Sequence, residues 1–230
     1  AKPDPAAASA HIAWLKEQLE RARRGKQKIW VLGHIPTGED TTAPMTTGRN
    51  ICAGGKPQMF LSSDALAETL SEFGDVIELA IFAHTHMDEV RLLSGDHGPV
   101  AVKMVSSISP VDGNNPSFTV AEVDPLLGTL MDYRVFAASN QTGVDTRWTE
   151  EYDYAQAYGE PWFTSSSLKK VVAGFAADPS AQTKASENYL RHYFVGDVSR
   201  EIKPFWPQYV CALANMTADT YRSCVCANLQ

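Results

Sequence analysis

The sequence contains IWVLGHIP at residues 29–36 and LAIFAHTHMD at residues 79–88, two apolar runs that each end in histidine. In an open α/β sheet, ligands bind just beyond the carboxyl ends of the strands. Imidazole is a common ligand of zinc and of other transition metals. The pattern therefore predicts that His34, His84 and His86 face a metal at one edge of a sheet.

The spacing of these histidines suggests how they share the metal. If the chain stays extended at His84 and His86, their side chains diverge, and each can serve a different one of two ions. His34, one strand over, could join either ion. The competing interpretations are a hydrogen-bonded turn for the pair and an ordinary surface position for His34. Asp88 either orients a ligating imidazole or is a polar strand residue. Structural or surface roles are expected for the remaining histidines, which are His11, His97 and His192.

The bulk composition limits the classes of function. The chain has 230 residues, is 44% hydrophobic and carries a net charge of -7. An acidic chain is a poor partner for nucleic acid, because phosphate binding depends on basic residues. Phosphate-bearing substrates remain compatible, since bound metal ions would reverse the local potential. No apolar run approaches the roughly 20 residues of a transmembrane helix, and no signal peptide is visible at residues 1–10.

Three of the four cysteines fall near the end of the chain. Because Cys224 and Cys226 cannot easily bridge to each other, we expect Cys211 to pair with one of them. Reduced thiols and a cysteine zinc site are the alternatives. A disulfide predicts a secreted, periplasmic, lysosomal or vacuolar protein. Sequons for N-glycosylation begin at Asn140 and Asn215.

Hydrophobic periodicity predicts a βαβ unit near the start of the chain. Residues 9–24 have the pattern of an amphipathic helix. Residues 28–33 and 76–83 are apolar strands, and a helix is expected from residue 62 or 63 to residue 73 between them. The intervening residues 34–58 form a long loop. Strands joined in this way are expected to be parallel.

The pattern changes after His86. Short strands separated by turn residues indicate an antiparallel meander, and they are expected at residues 89–93, 100–105, 118–123 and 129–136. From about Glu150 the chain is predicted to be helical, with helices near 165–177 and 181–194. We therefore divide the chain into a sheet-containing region, 1–148, and a helical C-terminal subdomain, 149–230.

Two of these motifs resemble a known superfamily. GHIP at 33–36 and FAHTHMD at 82–88 resemble the GH and GHxH motifs in the second half of the calcineurin-like metallophosphoesterases. The finer resemblance is to the acid sphingomyelinase-like phosphodiesterases. Their GHIPPG is similar to GHIPTG at 33–38, and their SxSPxxxxNPSF is similar to SISPVDGNNPSF at 107–118.

The resemblance covers nearly the whole chain and implies its fold. The expected architecture is α/β, the C-terminal half of a four-layer α/β/β/α sandwich followed by a helical appendage. The sequence departs from the family at Thr37, which replaces proline, at Ala83, which replaces glycine, and at residues 89–90. Ala83 would be strained if that position required a positive φ. None of these changes removes a ligand.

The resemblance also implies a binuclear site. His34 and His84 would bind one divalent ion and His86 the other, and zinc is favoured over manganese or iron. A hydroxide bridging the ions would attack phosphorus while both cations stabilise the phosphoryl oxygens. Asn114 and Asn115 would shape the pocket rim or a turn.

Part of the family's ligand set is absent from the sequence. The first half of these enzymes supplies D-x-H, GD and GNH motifs, which contribute the bridging aspartate, further ligands and a histidine near the leaving oxygen. GD at 74–75, GDH at 95–97 and GNN at 113–115 do not match in context. Three histidines cannot hold two ions that need roughly four ligands each.

Two explanations of this gap compete. In the favoured one, a separate or cleaved N-terminal half completes a hydrolase of phosphodiesters, phosphomonoesters or phosphoanhydrides, acting on a small phosphate ester or a lipid headgroup. Half a sandwich exposes a sheet face and a sheet edge, which favours such a partner. In the other, the chain is a non-catalytic fragment or interaction subunit. An endopolyphosphatase-like activity is a further alternative.

Overall fold

The computed structural model describes residues 4–41, 50–141, 147–196 and 202–228. Within them the chain has an α/β architecture with a helical C-terminal part, which confirms the predicted fold class. The α-helices are α1 (Pro5–Arg24), α2 (Ala65–Glu72), α3 (Tyr154–Tyr158), α4 (Ser165–Ala176), α5 (Lys184–Tyr193), α6 (Trp206–Ala214) and α7 (Ala218–Asn228). The strands are β1 (Ile29–Leu32), β2 (Ile77–Phe82), β3 (Glu89–Leu93), β4 (Val100–Met104), β5 (Ser117–Val123), β6 (Leu130–Ala137) and β7 (Thr149–Asp153).

A mixed sheet carries the two histidine-ended strands. Its order is β1-β2-β4-β3, in which β2 is parallel to both β1 and β4 and β3 is antiparallel to β4. The predicted βαβ unit is therefore confirmed. The carboxyl ends of β1, β2 and β4 meet at one edge of this sheet, and β1 lies at its side.

The prediction of a single four-stranded meander is wrong. Strands β3 and β4 belong to the mixed sheet, where every residue of both strands is buried. Strands β5, β6 and β7 form a separate antiparallel sheet. Burial on both faces explains the difference, because a strand between layers presents an apolar run rather than the alternation of a half-exposed meander.

The sequence predicted that the chain becomes helical from about Glu150. The structure contradicts this prediction. Residues Thr149–Asp153 form β7, which pairs with β6 through Val135 and Tyr152. Tyr152 is buried while its neighbours on the strand are more exposed, which is the alternation of an edge strand packed on one face. The division of the chain at residue 148 stays a prediction, and β7 lies directly after it.

Helices cover one face of the mixed sheet. Leu19 of α1 and Leu70 of α2 pack with Ala80, Phe82 and other apolar side chains of this sheet. Helix α1 begins four residues earlier than predicted, because Asp4 accepts hydrogen bonds from the backbone N–H groups of Ala6 and Ala7. An N-cap of this kind defines the start of a helix.

The other face of the mixed sheet packs on the smaller sheet and the C-terminal helices. An aromatic core fills this layer, in which Tyr133 of β6 contacts Tyr154 and Phe163 at ring-centroid distances of 5.3 and 5.5 Å. Trp206 of α6 packs in the same core. The sheets are also linked by Trp30, whose indole Nε1 donates to the Gly128 carbonyl at 2.7 Å. No helix in the described part of the chain is long and apolar enough to cross a bilayer.

Two disulfides cross-link the chain, one over a short and one over a long sequence separation. Cys211 pairs with Cys224, which is one of the predicted pairings, and Cys52 pairs with Cys226 over 174 residues. The alternatives of free thiols and a cysteine zinc site are therefore wrong. The second bond anchors the turn Ile51–Ala53 to helix α7. Of the sequons, the one at Asn140 extends to Thr142, outside the described residues, and Asn215 is partly buried.

Candidate metal centre

The three predicted histidines lie at the carboxyl edge of the mixed sheet. His34 follows β1 and His84 follows β2, and their ring centroids are 5.4 Å apart with planes at 75°. The backbone N–H of Ala83 donates to the His34 carbonyl at 3.0 Å and joins the two strand ends. Both imidazoles are exposed, so they are open to a ligand.

The backbone at the histidine pair is left-handed. His84 has a φ of 76° and His86 a φ of 63°. The backbone N–H of Thr85 donates to the Ala83 carbonyl at 2.9 Å, so a γ-turn surrounds His84. The argument from diverging side chains assumed an extended chain at His84 and His86. The backbone there is not extended. A positive φ is uncommon for residues other than glycine and often marks a functional turn.

Two neighbours of the histidines explain the local sequence. A Cβ atom added to Gly33 would lie 2.5 Å from the ring of Phe82, so the position before His34 has no room for a side chain. Ala83 does not have a positive φ, so its substitution for the family's glycine introduces no strain of that kind. The turn places its strain at the histidines themselves.

His86 lies beside an aspartate that the sequence reasoning missed. Its Nδ1 is enclosed by protein and lies 3.1 Å from Oδ2 of Asp112. The backbone N–H of Ser107 donates to the His86 carbonyl at 3.3 Å and holds the two loops together. The sequence signal was only a turn-like VDGN at 111–114, which gives no indication of a long-range contact.

Asp88 lies in the core. Its carboxylate pairs with Lys103 Nζ and accepts a hydrogen bond from the Tyr152 hydroxyl at 3.0 Å. Its backbone N–H donates to the Tyr193 carbonyl at 2.9 Å. Burial and the Asp88 charge raise the pKa of Tyr152 well above its ordinary value, so Tyr152 remains a neutral donor. Asp88 is a buried residue directly before β3, and its role in orienting a ligand stays a prediction.

A buried arginine holds the segment that follows His34. The Arg91 guanidinium donates to the carbonyls of Thr37 and Glu39 at 2.9 and 3.0 Å. It also pairs with Glu89 at 3.2 Å, and both side chains are fully buried. Burial raises the pKa of Glu89, and the Arg91 charge opposes that shift. The sequence marked residue 89 only as a departure from the family.

Phe60 connects this arginine to the histidines. The Arg91 guanidinium lies 5.3 Å from the centroid of the Phe60 ring, which contacts His84 edge-on at 5.9 Å. The backbone N–H of Phe60 donates to the Gly38 carbonyl at 3.0 Å. His84 therefore packs against the Phe60 ring, which also has a cation–π contact with the buried Arg91 guanidinium.

Asn114 and Asn115 brace loops. The Asn114 amide is buried and lies within 3.2 Å of the carbonyls of Ser107, Ser109 and Asn115, to which it can donate. The Asn115 amide donates to the Val195 carbonyl at 2.7 Å. These contacts agree with the turn interpretation, and a role at a pocket rim stays a prediction.

The other histidines lie away from the edge. His192 is buried, stacks on Tyr152 at a centroid distance of 4.0 Å and has Nδ1 3.3 Å from Glu151. His11 and His97 are exposed. These positions match the structural and surface roles expected for them.

The donors at the edge fit part of a zinc site. Three imidazoles at one sheet edge are the ligand type that zinc prefers. Among residues 4–41, 50–141, 147–196 and 202–228, however, no three histidine, cysteine or acidic side chains come close enough together to hold an ion. The described residues therefore provide imidazole donors of the right type but no complete set of ligands.

Sequence comparison relates the chain to known phosphodiesterases. No protein-family model matches the chain. It is 27% identical over 241 residues to "Cyclic GMP-AMP phosphodiesterase SMPDL3A" of Rattus norvegicus, an alignment that covers 97% of this chain and 50% of the relative. It is 25% identical to "Acid sphingomyelinase-like phosphodiesterase 3b" of Homo sapiens, over 98% of this chain and 50% of that protein. The chain is a homologue of the acid sphingomyelinase-like phosphodiesterases.

A more distant similarity extends the same group. "Sphingomyelinase phosphodiesterase D" of Dictyostelium discoideum is 27% identical over 157 residues, which are 64% of this chain and 33% of that protein. The chain spans about half the length of the acid sphingomyelinase-like phosphodiesterases that it matches. The predicted resemblance to the acid sphingomyelinase-like phosphodiesterases is confirmed by these similarities.

Proposed function

We propose that this chain is part of a metal-dependent phosphoric ester hydrolase and contributes His34, His84 and His86 to its metal centre. The observation that carries the proposal is the placement of three imidazoles at the carboxyl ends of the adjacent parallel strands β1 and β2. The relatives, which are named phosphodiesterases, support hydrolysis of a phosphodiester as the reaction.

The geometry suggests which imidazoles would bind each of the two ions. His34 and His84, whose rings are neighbours, would hold one divalent ion. His86, whose Nδ1 is enclosed, would offer Nε2 to a second ion. Zinc is favoured by the imidazole donors, with manganese or iron as alternatives. When bound, the ions supply positive charge that stabilises the phosphoryl oxygens.

We propose that the remaining ligands come from polypeptide outside this chain, an N-terminal catalytic half with the D-x-H, GD and GNH motifs. Two features support this partner. The chain spans about half the length of its relatives, and β1 is an edge strand of the mixed sheet among the described residues, with Leu32 73% exposed. An edge strand that carries an exposed apolar side chain is suited to pairing with a further strand.

Substitution of the histidines tests this function in the complete assembly. The variants His84→Ala and His86→Ala should each lose metal and lower the hydrolysis of bis(4-nitrophenyl) phosphate by about 100-fold or more, because the loss of a ligand exceeds the loss of a supporting group. His97→Ala is the matched control, since His97 is exposed in the β3–β4 turn at the opposite edge of the sheet. Unchanged turnover with both ions retained would contradict the proposal and favour a non-catalytic subunit.

The substrate is proposed at the level of class. We favour a phosphodiester, either a small molecule or a lipid headgroup, because each relative named above is a phosphodiesterase. Turnover of a cyclic dinucleotide, sphingomyelin and polyphosphate by the same preparation separates the candidates. Preferential cleavage of polyphosphate would replace phosphodiester hydrolysis with an endopolyphosphatase-like activity.

The disulfides suggest where the protein works. Both pairs fit an extracellular or lumenal protein, because cystines persist in oxidising compartments. We propose a secreted, periplasmic, lysosomal or vacuolar location. Peptide mapping of natively purified protein without reductant should recover both disulfides, and free thiols at all four cysteines would contradict this location.

A further inference from the structure

The Asp112 carboxylate lies 3.1 Å from Nδ1 of His86. None of the sequence motifs assigns a role to Asp112. We propose that Asp112 positions His86, accepting a hydrogen bond from Nδ1 so that the lone pair on Nε2 faces the metal. This inference rests on the proposed function, because it assumes that His86 is a ligand. Asp112 is thus a positioning residue and does not itself touch the ion.

The surroundings of the imidazole favour this arrangement. Nδ1 of His86 is closed off from solvent, and its charged neighbour is Oδ2 of Asp112 at 3.1 Å. The two atoms are within hydrogen-bond distance, although the ring N–H is not yet aligned with the oxygen. The Asp112 side chain is 51% exposed, whereas that of His86 is 26% exposed. Hydrogen bonds of this kind often align only when the site is loaded.

The backbone delivers Asp112 to this position. Residues 110–113 form a turn in which the Gly113 N–H donates to the Pro110 carbonyl at 3.1 Å. Gly113 has a φ of 86°, which glycine adopts without strain. The buried amide of Asn114 can donate to the carbonyls of Ser107 and Ser109 at the base of the same loop. These contacts restrain the turn.

The loop is also tied to its neighbours on both sides. The Asn140 amide donates to the Gly113 carbonyl at 2.9 Å, and Ser107 N–H donates to the His86 carbonyl. The backbone segments that carry Asp112 and His86 are therefore each held by hydrogen bonds to neighbouring loops.

The chemical consequence concerns the tautomer of His86. In a neutral imidazole one nitrogen carries the proton and the other is free to bind a metal. A carboxylate at Nδ1 holds the proton there, fixes the ring orientation and makes the other nitrogen a better ligand. Loss of such a supporting carboxylate typically lowers metal affinity by about 10- to 100-fold.

The tautomer can be measured on the chain directly. Two-bond nitrogen–proton NMR spectra of the neutral imidazoles should show His86 with its proton on Nδ1. Asp112→Ala should shift His86 toward the other tautomer, and Asp112→Asn should preserve the wild-type state because its amide oxygen still accepts. Asp96→Ala is the matched control, an exposed aspartate in the β3–β4 turn at the opposite edge. A proton found on Nε2 in the wild type would overturn the proposal.

Zinc affinity of the natively purified protein gives a second readout. Asp112→Ala should weaken zinc binding by about 10- to 100-fold, and Asp112→Asn should restore most of it. If Asp112→Asn binds zinc as weakly as His86→Ala, Asp112 is itself a ligand and the positioning role is wrong. Weaker binding in His84→Ala but not in Asp112→Ala contradicts only the role of Asp112. Unchanged binding in both contradicts the proposed function itself.

Discussion

The ion pair between Asp88 and Lys103 is a buried charge pair directly beside the candidate centre. It joins the residue directly before β3, two residues after His86, to β4, and each side chain is only 3% exposed. Lys103→Met keeps an apolar stem of similar length but removes the cation. The Asp88 carboxylate would retain the Tyr152 hydroxyl at 3.0 Å as a side-chain partner and would gain no access to water.

The expected cost follows from this environment. Removing one member of a buried ion pair leaves an uncompensated charge and typically destabilises a protein by about 3–5 kcal/mol. We therefore expect Lys103→Met to lower the free energy of unfolding by about that amount. A second variant, Asp88→Leu with Lys103→Met, should recover much of the loss, because replacing both charges with apolar groups removes the penalty.

Equilibrium unfolding in urea, followed by tryptophan fluorescence, measures these differences. Lys170→Met is the control, since Lys170 pairs with Glu160 at 3.1 Å but is 70% exposed. An exposed pair of this kind contributes about 0–1 kcal/mol. If Lys103→Met unfolds within about 1 kcal/mol of the wild type, the reasoning from a buried, uncompensated carboxylate is refuted.

Three further predictions address packing, covalent links and pH. Gly33→Ala should cost about 1–3 kcal/mol of stability by overpacking against Phe82, and an unchanged melting temperature would show that the ring has room to move. Replacing Cys52 and Cys226 with serine should lower stability by up to about 5 kcal/mol, against about 3 kcal/mol for the short-range disulfide of α6 and α7, because the loop of 174 residues is much longer than that of 13. Burial, with a nearby carboxylate, raises the pKa of Asp132 from 3.8 to about 6, so its stabilising contribution is fully present below 3.8 and is lost as the pH rises through about 6. Asp132→Asn should therefore gain melting temperature relative to wild type as the pH rises to neutrality, and parallel pH profiles would contradict this.

The local part of the fold could be predicted from the sequence. The apolar runs at β1 and β2 and the predicted helix between them are patterns over neighbouring residues, so the parallel pair and the shared edge of His34 and His84 followed from them. The resemblance of short motifs identified the family. The pairing of Cys211 with Cys224 was one of two predicted alternatives, because only a few partners lay within reach.

Long-range relations could not be predicted in this way. The position of β4 between β2 and β3 depends on burial of both strand faces. The sequence of a short apolar strand does not predict that burial. Cys52 pairs across 174 residues, and Asp112 reaches His86 through a loop whose shape is fixed by the Asn114 amide. The left-handed backbone at His84 was also missed, because propensities assign that conformation to glycine.

At the candidate centre, the sequence predicted the histidines at one sheet edge but not the groups that surround them. The supporting groups are the Phe60 ring, the Arg91 guanidinium and the Asp88–Lys103 pair. Each is an ordinary-looking residue in the sequence, and its importance arises only from burial and from contacts between strands. A charged residue inside an apolar strand, such as Arg91 or Lys103, is the one signal that could have indicated them.

The central claim is that this chain supplies only part of a metal-dependent phosphodiesterase. A denaturing intact-mass spectrum of the natively purified, catalytically active fraction tests it most directly. The account predicts a second polypeptide beside the 25.2 kDa chain, or a longer covalent chain, containing the D-x-H and GNH motifs. A single 25.2 kDa species that binds two metal ions and hydrolyses bis(4-nitrophenyl) phosphate would contradict it.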